Sequence, residues 1–159
     1  MPYTTETDKV RERVIPILGP YPGLDLGCGD TKICGHAIGI DLRKDSKAVV
    51  VGDASNLQSI IPKGELYDWI FSSHLLEHLK KHPKETIRDW LTFIKPAGKL
   101  VLYLPDVVYY TEKNPEHFWN FTAKQWFEEL KEENIVIYEK RNRDLGYVDE
   151  YSVLIVIQK

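Results

Sequence analysis

Seven short apolar runs recur along the chain: "GLDLG", "AIGIDL", "KAVVVGD", "YDWIFSS", "GKLVLYLP", "NIVIYEK" and "YSVLIVIQ". Several are apolar at nearly every position, as strands covered on both faces must be. Helical spacing fills the gaps between them. In "PKETIRDWLTFIK", Pro83 sits in the first turn and Ile87, Leu91 and Ile94 share a stripe. In "TAKQWFEELKEEN", Thr122 and Gln125 form a capping-box pair ahead of Trp126, Phe127 and Leu130. The opening segment carries Val10, Val14, Ile17 and Leu18 at helical spacing, with Pro16 expected to end or kink that helix before the turn "GPYPG". Strand alternating with helix predicts a Rossmann-like, doubly wound α/β sheet of seven strands, mostly parallel. The last two runs are joined only by "RNRDLGYVDE", too short for a parallel crossover, so they form an antiparallel hairpin with the C-terminal strand reversed. The first crossover, "CGDTKICGHA", is equally cramped. Its helix is expected to be shortened or missing, with no helix longer than about two turns between Gly29 and His36.

Composition narrows the class. At 159 residues and 43% hydrophobic, residues 1–159 match a single globular domain large enough to fold without staples. Cys28 and Cys34 offer neither a disulfide framework nor a second ligand pair for zinc, which points to a reducing, cytoplasmic compartment. "MPYTTETDKVRERV" lacks the apolar core of a signal peptide, and no stretch approaches the ~20 apolar residues of a membrane span. A formal net charge of −3 argues against avid nucleic acid binding, leaving small molecules as the expected partners.

In a sheet of this kind ligands bind beyond the carboxyl ends of the strands. Those ends carry Asp25, Gly27 and Gly29 after the first run, Asp41 and Leu42 after the second, Asp53 and Ala54 after the third, and Ser72, Ser73 and His74 after the fourth. Any one acid has a plain reading as a cap or turn residue; four successive strand ends of this kind favour a binding site. The turn Gly27-Cys28-Gly29-Asp30-Thr31-Lys32 lacks the third glycine that a dinucleotide pyrophosphate wants.

The ordered series "LDLGCGD", "GIDL", "GDASNL", "YDWIFSSHLLEHL" and "IKPAGKLVLYLPD" resembles class I S-adenosylmethionine-dependent methyltransferases, and most of all their small ubiquinone-methyltransferase-like (type 11) members. The resemblance runs from about Leu24 to Asp106. It implies a seven-stranded sheet with a reversed final strand and S-adenosylmethionine as cofactor. It further implies that Asp25, Gly27, Cys28 and Gly29 shape the turn under the methionine part, that Asp41 holds the ribose hydroxyls, that Leu42 packs on adenine, and that Asp53 with Ala54 reads the adenine edge. Ser72 and Ser73 fall where the fourth strand opens into the site. Lys32 is the candidate partner of the methionine carboxylate, set against its plain reading as a surface lysine. The activity implied is methyl transfer to a small-molecule acceptor by in-line displacement on the sulfonium, with positioning and desolvation supplying much of the rate. If the acceptor is a hydroxyl, His74 and then His117 are the candidate bases.

Two other readings compete. "HLLEH", His74 to His78, matches the H-x-x-E-H of inverted zinc peptidases, which requires both histidines on one helix face with Glu77 beside them. The position of the run directly after a strand argues against it, and no metal ligands are assigned. A relative that keeps the fold but acts as a non-catalytic partner subunit is the second. Acceptor identity is expected in "PDVVYYTEKNPEHFWNF", which holds Tyr109, Tyr110, His117 and Trp119, although Phe118, Trp119 and Phe121 fit equally as core. Missing helices would leave sheet surface for a second subunit, hence a homodimer.

Overall fold

A computed structural model describes residues 5–109, 114–149 and 151–159. Its seven strands are β1 (Gly23–Leu26), β2 (Ile38–Asp41), β3 (Val50–Val51), β4 (Tyr67–Ser73), β5 (Ile94–Pro105), β6 (Ile135–Asn142) and β7 (Tyr151–Gln158). They form one sheet in the order β3-β2-β1-β4-β5-β7-β6. The pairs among β1 to β5 are parallel, and β7 inserts antiparallel between β5 and β6. The expected hairpin is therefore present, with the C-terminal strand reversed. The chain order turns back beside β1, which puts the switch point between β1 and β4.

The alternation of side chains divides the apolar residues into two layers. Leu24, Leu26, Ile40, Leu100, Leu102 and Leu104 face the layer covered by α2 (Pro83–Leu91) and α3 (Ala123–Leu130). Phe71, Val101, Tyr103, Leu154 and Val156 face α1 (Glu6–Leu18), which buries Val10, Val14 and Leu18 against them. Both layers are buried, which is why the central strands read as nearly apolar throughout. Local capping sets the helix ends. Thr5 and Asp8 close a reciprocal capping box on α1, and Thr122 with Gln125 closes the expected one on α3.

Two boundaries differ from the sequence reading. Helix α1 continues through Pro16 to Leu18, because a proline in the last turn forfeits only one ladder bond and Gly19 N–H closes the end on Ile15 O. Helix α2 stops at Leu91, so Ile94 starts β5 and is buried from the sheet, not from the helix stripe.

The connections from β1 to β2 and from β2 to β3 contain no helix. Residues 27–37 cover the sheet as a loop, burying Ile33 and Ala37 beneath α1. Two anchors hold that loop. Arg11 of α1 donates to the carbonyls of Lys32 and Ile33, and the Asp25 carboxylate accepts the Ile33 N–H at 2.6 Å. Among the described residues no helix is long and apolar enough to cross a membrane.

Candidate functional site

A cavity of about 210 Å³ opens beyond the carboxyl ends of β1, β2 and β3. Its floor is Gly27 and Ile40, one rim is Asp41, Leu42 and Arg43, another is Gly52, Asp53 and Ala54, and an apolar wall is Leu75 with Leu79. The local backbone explains Gly27. It has φ +68°, and a Cβ there would lie 3.0 Å from the Leu75 side chain, so a larger residue would be strained and would fill the cavity floor.

Asp41 is the organising acid. Its Oδ2 accepts the Gly29 N–H at 2.8 Å and its Oδ1 accepts the Arg43 N–H at 2.8 Å, which fixes both oxygens between two turns. The side chain is still 11% exposed, and two bonds use only half of a carboxylate's roughly four lone-pair positions. The rest can accept a diol. Leu42 stands 65% exposed on the rim, an apolar face with nothing on it. Asp53 caps the 3-10 turn Ala54–Ser59: its Oδ1 accepts both the N–H and the hydroxyl of Ser55, and the carboxylate is exposed. That turn is anchored from behind, since Trp90 Nε1 donates to Ala54 O at 2.8 Å.

Asp25, Cys28 and Lys32 take supporting places outside the cavity lining. Asp25 is 1% exposed and holds the loop; burial pushes its carboxyl up to about 7 against the relief from the Ile33 N–H, Arg11 and Lys32. Cys28 is buried, with its thiol pushed up to about 12 by desolvation and by Asp25 and Asp41, so it packs and does not react. Its sulfur would lie 2.7 Å from a Cβ at Gly39. Lys32 donates to Ala37 O at 3.0 Å and Gly35 O at 3.4 Å, so its ammonium braces its own loop.

Beyond β4 lies a second polar group. The Ser72 and Ser73 hydroxyls are buried and have no hydrogen-bond partner among the described residues. His74 has φ +48°, an uncommon backbone for a non-glycine residue. Its ring meets Tyr103 edge-on, and its Nε2 lies 3.3 Å from Ser152 Oγ. Burial, followed by Lys9, His117 and His78, holds it down to about 3, so it is a neutral imidazole. The "HLLEH" run is not one helix. Leu76–His78 is a single 3-10 turn and His74 precedes it, so the histidines do not share a helix face one turn apart and the zinc peptidase arrangement is absent. Trp119 and Phe121 pack against the core, with Trp119 Nε1 donating to Leu79 O at 2.7 Å, while Phe118 is exposed. Tyr110 lies outside the described residues.

The cavity thus gathers Gly27, Asp41, Leu42, Asp53 and Ala54 from the strand ends. Arg43, Leu75 and Leu79 join them unanticipated. A base two places after the strand-end acid and the apolar positions of "HLLEHL" were the available signals.

A family model described as a methyltransferase domain matches residues 7–140. No curated protein matches the chain in sequence. Solved structures share its fold. An S-adenosylmethionine dependent methyltransferase from Mesorhizobium loti superposes with a TM-score of 0.71 at 14% identity, over 98% of this chain and 99% of that one. TehB from Haemophilus influenzae gives 0.69 at 15% identity over 99% of this chain, which spans only 63% of the length of TehB. The 1,6-didemethyltoxoflavin-N1-methyltransferase of Burkholderia thailandensis, crystallised with 1,6-didemethyltoxoflavin and S-adenosylhomocysteine, gives 0.67 at 15% identity over 96% of this chain and 80% of that one.

Proposed function

The chain belongs to the methyltransferase domain family, and from that membership we propose that it transfers a methyl group from S-adenosylmethionine to a small-molecule acceptor. The motif series supports a reading as one of the small ubiquinone-methyltransferase-like members. The observation that carries the cofactor assignment is the pairing of Asp41, with acceptor capacity left on both oxygens, and the bare face of Leu42 across one cavity rim. A ribose diol fits the first and an adenine ring the second, while Asp53 can take the adenine amine. Dinucleotides fit poorly. Residues 27–37 hold no helix whose amino terminus could receive a pyrophosphate, whereas the Asp41 carboxylate on the cavity rim favours a sulfonium.

When bound, the cofactor supplies an activated methyl group. The chain's own residues bind, orient and desolvate. Asp41 and Leu42 fix the nucleoside, Gly27 and Gly29 keep the turn bare, and Asp25 acts one step back by holding the loop that carries them. Lys32 is assigned to that loop as well. Acceptor contacts belong to the ends of β4 and β5, where the hydroxyls of Ser72 and Ser73 and the His74 ring lie. A histidine held near 3 is a weak proton acceptor, so His74 serves to position the acceptor, with proximity carrying the rate.

S-adenosylmethionine and S-adenosylhomocysteine should each raise the melting temperature, whereas NAD should leave it unchanged, since a ligand that binds only the native state stabilises it by mass action. No shift with either ligand would overturn the cofactor assignment. Once an acceptor is found, His74→Ala should lower single-turnover transfer by under about tenfold at saturating cofactor. A loss of ~100-fold or more would instead make His74 the base.

A further inference from the structure

Between Leu75 and Leu79 of the cavity's apolar wall, Glu77 is fully buried, with neither carboxyl oxygen hydrogen-bonded among the described residues. A carboxylate stripped of water costs several kcal/mol unless something pairs with it. Three histidines surround it. His74 Nδ1 lies 3.7 Å and His78 Nε2 3.8 Å from Glu77 Oε1, too far to hydrogen-bond. His117 comes from the segment after β5, and its ring meets that of His78 at 4.6 Å between centroids, nearly perpendicular. That segment is laced to the same turn, since the Phe118 and Trp119 N–H groups both donate to Glu77 O.

We propose that Glu77, His78 and His117 bind a divalent transition-metal ion of the zinc type. One ligand atom from each lies within 4.8 Å of the others. Ligands at about 2.0–2.1 Å from a shared zinc sit roughly 3.3 Å apart in a tetrahedron, so small side-chain rotations close the set. Glu116 O can only accept, so the 3.2 Å contact from His78 Nδ1 puts the proton on that nitrogen and leaves the Nε2 lone pair toward Glu77. A ligating histidine that gives its other N–H to a backbone carbonyl is the usual outer-shell arrangement. His117 Nδ1 is buried and has no hydrogen-bond partner among the described residues. His78 is 35% exposed at the side chain and gives solvent a route in. Two imidazoles and one carboxylate suit zinc or cobalt and leave a coordination position for water or an acceptor group.

The ion would neutralise Glu77 and clamp residues 116–119 onto the turn that walls the cavity. Its binding does not depend on the methyltransferase reading, and none of its readouts requires activity. The untagged chain, stripped with a chelator, reloaded with Zn²⁺ and desalted, should retain one zinc per chain by elemental analysis and melt at a higher temperature than the stripped form. Zn²⁺ affinity should fall by more than about 10-fold in both His117→Ala and His78→Ala, since even outer-shell changes cost that much. His36→Ala should match the wild type, which separates this site from the Cys34–His36 pair at 3.7 Å. Wild-type chain that retains no zinc overturns the proposal without reference to any variant. Retention of zinc by both folded variants, or its loss in His36→Ala, overturns it equally.

Discussion

Replacing Asp41 with alanine is expected to weaken S-adenosylmethionine binding by about 100-fold or more while the chain stays folded. Two hydrogen bonds to an ionised acceptor are worth ~1.5–3 kcal/mol each, and a factor of 100 corresponds to about 2.7 kcal/mol. The alanine also strips the Gly29 and Arg43 N–H groups of their acceptor and loosens two of the turns that frame the cavity. Asp41→Asn keeps one acceptor oxygen and should fall between the two. Arg43→Ala is the contrasting change: its guanidinium is more than half exposed and 3.6 Å from Asp41, a screened pair, so affinity should move only a few fold. Isothermal titration with S-adenosylhomocysteine measures all three. Wild-type affinity in Asp41→Ala would remove Asp41 from the site.

Stability should fall as pH rises from about 4 to about 7, and Asp25→Asn should remove that part of the slope. The folded chain holds the Asp25 carboxyl up to about 7 against an ordinary 3.8. Between those values the native state keeps a proton that the unfolded chain has released, so raising pH favours unfolding. The full difference is on the order of a few kcal/mol, expressed above both values. Asparagine retains a carbonyl oxygen for the Ile33 N–H and cannot ionise. Its amide nitrogen adds a buried donor, so the variant's absolute stability can move either way; the slope is the test. Urea midpoints at pH 5 and pH 8 for both proteins give it directly. Equal slopes would mean that Asp25 ionises freely in the folded chain.

Sequence alone determined what depends on neighbours along the chain. Runs apolar at nearly every position read as strands covered on both faces, and the capping box at Thr122 and Gln125 follows from a spacing of three residues. The missing first crossover helix was a matter of length, since residues 27–37 must also reverse and reach β2. The strand-end residues of the cavity were legible because parallel topology sends the carboxyl ends of β1, β2 and β3 to one edge.

Tertiary structure decided which groups lose water and which meet across the chain. Lys32 reads as an available cation until the fold brings Ala37 O to it, and Asp25 reads as one more strand-end acid until Arg11 and Ile33 close over it. "HLLEH" carries the spacing of a helical metal motif, yet the chain turns tightly there, and the histidine that completes a ligand set with Glu77 and His78 is His117, from beyond the next strand. The physical reason is one of range. Periodicity and capping are energies between residues a few positions apart, whereas desolvation and ligand geometry are set by whatever the packed core brings within a few ångströms.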